Sequence, residues 1–527
     1  MSDVCGQTES PPPRGPVAVI EIGSTGIRLL VAQMDGKGGF AILDRAGKPS
    51  RIGRDVFTGG SVSREAARES IAILLGFREL LKGYSIEPGE ARVIATSAIR
   101  EAENRDTFVD RVALQTGFHV SVIEGLEENY LMYLAVQHAL QDEKSLLSRS
   151  NAIILEVGGG STELMLLRRG RMTGSHSLRI GTVRVDELIR GSGSGGTPDF
   201  LMQFLEDNVR TSCDLLDDEL PLDTVKSFIV IGSDARLAAS ILPAEHNSEY
   251  SIVSRQDFVR FADEIAGLSL EDCVARLGVS WSDAEGIGPG LEIERLFLEH
   301  TGAESIVVPA VSIREGLLYS VAQGPDPEHL AELQRQIVAS ATALGRKFHF
   351  DEAHASHVAE LSLSLFDAIK PEHGLGSHER LLLQVAAILH DIGSYIKSSG
   401  HHRHSEYLIL NSEIFGLNPN ERAIVASIAR YHRKQPPSPS HINYMALQRA
   451  DRIVVLKLAA ILRVADALDR GHDQRVSGVS FERSGDRLII RTARGSGAPL
   501  DLSLERLSLA EKGDMFEDAF GLEPVLV

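Results

Sequence analysis

The sequence predicts an α/β protein of two similar lobes followed by an all-helical domain, and three observations carry that prediction. First, two glycine-rich turns, EIGSTG at 21–26 and EVGGGST at 156–162, share one grammar. Second, each follows a β-branched, apolar run (VAVI, NAIIL) and sets an acid at the strand end before the glycines and hydroxyls. Third, from residue 330 to about residue 467 strand signals give way almost entirely to helical periodicity.

From Val17 the runs VAVIEIG, IRLLVAQM and FAILDRA alternate as the strands of a meander. A helix follows: Ser63 can cap it, Glu65 sits in its first turn, and Gly83 ends it. ARVIAT is a short strand, and SAIREAENRDTFVDRVALQTG is a polar turn and a helix stopped at Gly117. HVSVIEG is a strand and LEENYLMYLAVQHAL a helix. After SLLSRSN the pattern restarts. NAIILEVGGGSTELMLLRRG reads as a hairpin, RMTGSHSLRIG as a third strand, GSGSGGTP as a mobile loop and DFLMQFLEDNVRTSCDLL as a helix. SFIVIG is a buried strand, SDARLAASI opens a helix, and a strand at 306–309 precedes SIREGLLYSVA. QGPDPEH reads as a linker, and a late strand pair, RVSGVSFER and RLIIRTA, interrupts the helices.

At 527 residues the chain exceeds a single core. The expected organisation is a frayed tail over 1–16, one lobe over 17–145, a second over 146–322 and the helical domain over 328–527. With 54 basic against 73 acidic residues the net charge is −19, which excludes wholesale binding of nucleic acid or anionic membrane. Cys5, Cys213 and Cys273 are odd in number and far apart, which suits neither a disulfide framework nor a zinc site and points to a reducing compartment. The N-terminus has no basic segment leading into an apolar one, and no run reaches 18 apolar residues. A cytoplasmic protein is the expectation.

The paired turns suit phosphate chemistry. Glycines let backbone N–H groups approach phosphate oxygens, and a carboxylate at a strand end can hold Mg²⁺ or position water. Ser24, Thr25, Gly158, Gly159, Gly160 and Ser161 are the candidate donors. Arginines recur at block ends, as Arg28, Arg100, Arg179, Arg184 and Arg314, and of these Arg28, Arg100 and Arg314 are taken as phosphate contacts.

The duplicated arrangement resembles the actin-like (ASKHA, ribonuclease H-like) superfamily. Within it, EIGSTGIRLL, ATSAIREAENRDTF, VIEGLEEN, LEVGGGSTEL, SLRIGTVRV and SIREGLLYSVA, in that order, resemble the exopolyphosphatase/guanosine pentaphosphate phosphohydrolase (Ppx/GppA) family from about Val17 to Ala322. The resemblance implies that Glu128 is the general base for the attacking water. It places Glu21 and Glu156 where the family carries Asp, as holders of Mg²⁺ or Mn²⁺, each longer by one methylene, roughly 1.5 Å. Asn129 stands for the usual Ala, and Gly26 for a Ser. The implied activity is exopolyphosphatase, releasing terminal orthophosphate from inorganic polyphosphate. The alternative is guanosine pentaphosphate 5′-phosphohydrolase, yielding the tetraphosphate of the stringent response, and the family habit implies a homodimer. Asp234 and Ala235 replace the Gly-Thr with which actin-like kinases cradle adenosine, which favours phosphatase over kinase.

In the helical domain His354, the pair His390–Asp391 in AAILHDIG and Asp466 in RVADALDR resemble the HD phosphohydrolase pattern. His404 and His432 would complete a two-metal site holding a second divalent cation. Against this stands an HD fold kept as scaffold. Two rival activities follow: catalysis by the HD domain, or a non-catalytic regulator that binds alarmone or polyphosphate. Arg403, Arg422, Arg430, Arg433 and Lys434 suggest a polyphosphate track.

Overall fold

The computed structural model describes residues 14–35, 39–191, 198–247, 249–322, 327–492 and 501–527. It divides into two compact units, Met1–Glu332 and Leu333–Val527. Most of the expected tail, the core of the GSGSGGTP loop (192–197), part of the linker (323–326) and Cys5 lie outside the described residues.

The first unit holds two sheets. One comprises β1 (Arg14–Ile22), β2 (Gly26–Asp35), β3 (Phe40–Pro49), β4 (Arg92–Ala95) and β5 (Val120–Val122), in the order β3-β2-β1-β4-β5. The other comprises β6 (Asn151–Val157), β7 (Thr162–Arg168), β8 (Arg171–Leu178), β9 (Val225–Ile231), β10 (Ala244–His246), β11 (Tyr250–Ser254) and β12 (Ser305–Pro309). Its order is β10-β11-β12-β9-β6-β7-β8. Read from β8, the first five strands repeat the order and strand directions of the first sheet, with β11 and β10 added antiparallel beyond β12. This is the duplicated actin-like architecture. The central strands β1 and β6 are apolar because helices cover both faces of each sheet there, and separate buried clusters form. Ile20, Leu29, Leu74 and Phe118 serve the first sheet, and Ile153, Leu155, Phe228 and Phe297 the second. Strand β1 opens at Arg14 rather than at Val17, because residues 14–16 pair with Asp35, Met34 and Gln33.

Local signals place the helices that matter for function. Ser63 accepts from Ala66 N and caps Arg64–Lys82. In Gly125–Ala139, Glu124 and Glu127 form a reciprocal capping box. The helix Ile313–Ala322 lies on this one so closely that a Cβ at Gly316 would stand 1.9 Å from Leu131 O. Only glycine permits that approach, and it brings Arg314 toward the Glu128 helix.

The second unit is helical, with Glu352–Ala368, Ser377–Leu389, His401–Leu410, Pro419–Arg430, Arg449–Leu468 and Ser503–Lys512 as its main helices. The late hairpin is present as β13 (Ser480–Ser484) and β14 (Arg487–Arg491). A third strand, β15 (Glu523–Leu526), pairs parallel to β14. Four residues at the chain end carry too little pattern to announce that strand. Among the described residues no helix is long and apolar enough to cross a membrane.

Candidate active site

The two glycine turns meet in the first unit. A Cβ at Gly159 would lie 2.9 Å from Ser24 Cβ and 3.0 Å from Thr25 Cγ2, so the turn after β6 abuts the turn after β1. Gly181 backs the second turn, with Thr182 N, Val183 N and Arg184 Nε donating to the carbonyls of Gly158, Gly159 and Gly160 at 3.0, 2.9 and 2.8 Å.

Three glutamates from three elements converge behind these turns. Glu21 is the penultimate residue of β1, where Arg28 Nη1 approaches it at 3.8 Å and Arg314 Nε at 3.5 Å. Glu156 lies at the end of β6. Burial first, then the charges of Glu21 and Glu128, push its carboxyl up to about 8, against the pull of Arg236 and Arg314. Glu128 is 8% exposed and its carboxylate pairs with Arg100. Its pKa is raised: burial dominates, Arg100 opposes it, and Glu21 and Glu124 add to the rise. The adjacent glutamates at the helix start thus divide the work. Glu127 caps, through its bond from Glu124 N at 2.9 Å, which leaves Glu128 for the cleft.

A fourth acid, Glu163, was not marked in the sequence. It is the register partner of Glu156 across the β6–β7 hairpin, as Arg28 is of Glu21 across β1–β2. Burial, and then Glu128, raise Glu163 well above the usual carboxylate range, although the hydroxyls of Ser177 and Ser161 donate to it at 2.8 Å each. The available signal was spacing: the partner follows the acid by seven positions in both hairpins.

The phosphate candidates divide. Ser24 Oγ lies 3.1 Å from Ser97 Oγ, and Thr25 Oγ1 accepts from Arg28 Nη2 at 3.1 Å, so both line the junction of the turns. Gly159 and Gly160 lie in that junction. Gly158 differs from expectation, because its N–H closes the turn by donating to Ser161 O at 2.9 Å. The Ser161 hydroxyl is committed to Glu163. Arg100 is half-buried on Glu128 and on Ile123 O at 2.7 Å, which makes it a carboxylate partner before any phosphate arrives. Arg179 and Arg184 both hold Glu101, at 2.7 and 2.6 Å. Asp234 is half-buried, and its carboxyl is raised to about 6 chiefly by its desolvation. Its Oδ2 would be 2.2 Å from a Cβ at Gly290, so the carboxylate packs directly against the helix Trp281–Glu299.

Family models described as "Ppx/GppA phosphatase family" and "Ppx/GppA phosphatase, domain III" match residues 30–324 and 337–505. The chain belongs to the Ppx/GppA phosphatase family. It is therefore related to phosphate-releasing hydrolases, in keeping with the acids gathered behind two phosphate-type turns. Among its relatives, the guanosine-5′-triphosphate,3′-diphosphate pyrophosphatase of Photobacterium profundum is 24% identical over 473 residues, 84% of this chain and 86% of that protein. The protein of the same name from Pseudoalteromonas translucida is 24% identical over 465 residues, 86% of this chain and 87% of the relative. The solved exopolyphosphatase from Cytophaga hutchinsonii superposes with a TM-score of 0.52 at 19% identity, over 59% of this chain and 98% of that one, and it shows the fold.

In the second unit His354, His390, Asp391, His432 and Asp466 come together from separate helices. His404 does not join them, and His401 takes its place. His404 lies one helical turn on, about 4.5 Å along the axis, whereas His401 Nε2 is 3.0 Å from Asp391 Oδ1. Burial lowers the pKa of His390 and His432 against the opposing pull of the Asp391 and Asp466 carboxylates, so both rings are neutral near pH 7. Of the basic residues of the expected polyphosphate track, Arg430 is paired with Glu406, and Arg422 donates to Ser412 O at 3.1 Å.

Proposed function

We propose that this member of the family hydrolyses the terminal phosphoanhydride of guanosine pentaphosphate, releasing orthophosphate and leaving the tetraphosphate. The observation that carries the chemistry is Glu128: a buried carboxylate, excused from helix capping, with a raised pKa and facing Glu21 and Glu156 across the cleft. Its ionised form accepts a proton from the attacking water as the water oxygen bonds to the terminal phosphorus. The bond from that phosphorus to the bridging oxygen breaks, and the electron pair leaves with the tetraphosphate. Arg100 keeps Glu128 ionised and orients it. Backbone donors where the two turns meet, with Ser24 and Thr25, hold the terminal phosphoryl group.

Glu21 and Glu156 fit a divalent cation. Their donors are hard carboxylate oxygens, and Mg²⁺ or Mn²⁺ commonly takes one or two of these and completes its shell with water and substrate phosphates. Bound there, the ion supplies neutralisation of the phosphate charge. Support for the guanosine substrate comes from relatives that span most of the chain and bear that name. Loss of two arginines from the expected basic track weakens the polyphosphate reading.

The test is orthophosphate release from guanosine pentaphosphate and from long-chain polyphosphate, with Mg²⁺ and with Mn²⁺, by wild type and Glu128→Gln. The expected result is release chiefly from the guanosine substrate and a loss of about 10²- to 10⁴-fold in the variant. Preference for polyphosphate would replace the substrate, and activity indifferent to Glu128 would overturn the mechanism.

A further inference from the structure

Building on the guanosine substrate proposed above, we infer that a cavity opening off the two glycine turns reads the guanine base, with Glu285 and Arg54 as the residues that set base specificity. The cavity measures about 270 Å³, and Ser24 and Thr25 belong to its wall. It therefore begins where the phosphoryl group is held and continues between Ser50 and Arg54 of the first lobe and Thr182 and Glu285 of the second. A ligand with phosphates at the turns places its other end here.

The charge of the cavity is wrong for a further run of phosphates. Among its described lining residues two cations, Arg51 and Arg54, stand against three carboxylates, Glu69, Asp186 and Glu285. Both arginines are already answered. Arg51 Nη1 lies 3.2 Å from Glu65 and 4.0 Å from Glu69, and Arg54 Nη2 lies 2.9 Å from Glu285 and 3.8 Å from Asp186. A net-negative lining repels a polyanion. It suits a neutral group that carries both donors and acceptors, and Pro49 and Val183 give the apolar surface on which a flat ring can lie.

Arg54 and Glu285 offer the complement of guanine. The base presents O6 and N7 as acceptors and, next to O6, the N1–H and 2-amino donors. A guanidinium fork donates to the first pair, and a carboxylate accepts from the second. Adenine carries its amino donor beside a bare ring nitrogen, so it would turn a lone pair toward the carboxylate. Arg54 can exchange one partner without losing its place. Its Nε stands 2.8 Å from Glu187 Oε1, and Glu187 Oε2 accepts from Thr58 Oγ1 at 2.8 Å, so the guanidinium stays anchored when Nη2 leaves Glu285 for the base.

The experiment is equilibrium dialysis of guanosine tetraphosphate, the product, and of its inosine and adenosine counterparts, against the full chain as wild type, Glu285→Gln and Arg54→Ala. Wild type should prefer guanosine to inosine, which lacks only the 2-amino group, and to adenosine. Glu285→Gln should bind the guanosine compound about 5- to 150-fold more weakly and lose the preference over inosine. Arg54→Ala should narrow the preference over adenosine, and it keeps the test decisive if Glu285→Gln fails to fold. The ratio between bases is the reading, because a merely structural contact between the lobes would weaken all three nucleotides alike. Orthophosphate release from guanosine pentaphosphate is followed in parallel. Release absent while tetraphosphate binding still depends on Glu285 would sink the proposed reaction and leave the subsite standing. No tetraphosphate bound by wild type, equal binding of the three bases, or a base preference unchanged in both variants would overturn the subsite whether or not release occurs.

Discussion

The hairpins β1–β2 and β6–β7 are copies of one device with opposite electrostatics. In each, a glutamate at the strand end faces its register partner seven residues later. In the first hairpin that partner is Arg28, which with Arg314 surrounds Glu21 with positive charge. In the second it is another acid, Glu163, and both Glu156 and Glu163 are raised by burial. The difference teaches how a duplicated fold becomes an asymmetric site. One lobe supplies a carboxylate already accompanied by cations, and the other supplies acids that need a proton or a metal to balance them.

Removing the second lobe's carboxylate should break the device most severely. Glu156→Gln deletes half of the expected cation site, and we expect kcat on guanosine pentaphosphate to fall about 10²-fold, with more Mg²⁺ needed for half-maximal activation. Undiminished activity at unchanged Mg²⁺ would make the two lobes equivalent after all.

The next effect is on pH dependence. Because Glu128 must be ionised to accept a proton, kcat/KM should rise with pH along a limb lying above the ordinary carboxylate range near 4. Arg100 is the group that opposes the rise, so Arg100→Gln should move the limb to still higher pH. A limb that stays in place would remove Arg100 from the site's electrostatics.

Stability offers a smaller, independent readout. The folded protein holds the Glu156 proton to about pH 8, whereas an exposed carboxyl releases it near pH 4. Between those values the folded state binds more protons than the unfolded one, so the metal-free protein should lose stability as pH rises across the interval. Melting temperatures with and without Mg²⁺ check this: Glu156→Gln should flatten the metal-free slope, and Mg²⁺ should restore stability to wild type at the upper end.

The mildest change should be Glu163→Gln. Glu163 keeps its proton in this setting, and glutamine reproduces a neutral carboxyl that accepts from Ser161 and Ser177. Activity should stay within about threefold, while Glu163→Ala, which strands the buried Ser161 hydroxyl and the half-buried Ser177 one, should cost about 1 to 3 kcal/mol of stability. A severe loss in the glutamine variant would assign Glu163 a charged role.

Much of this was legible in the residues themselves. The repeated acid–glycine–hydroxyl turns announced the duplication, and the Ser63 cap and the Gly117 stop appear where the local chemistry places them. Glu128 could be distinguished as the cleft acid only by the family blocks, since a capping role for either neighbour satisfies the helix start. Glu163 escaped because an acid inside TELMLL has no local oddity until the hairpin pairs it with Glu156. His401 escaped because HHRH offers three imidazoles to one helix, and local pattern does not say which of them meets Asp391.

The sequence by itself determined the elements, the duplicated order of strands and the positions of the acids, because periodicity and turn chemistry act over a few residues. Only the tertiary structure decided which acids share a cleft, which arginines are consumed by carboxylates and which histidines converge. Those outcomes depend on close packing between segments far apart in the chain, such as Gly316 against Leu131, where a single Cβ would separate the helices that carry Arg314 and Glu128.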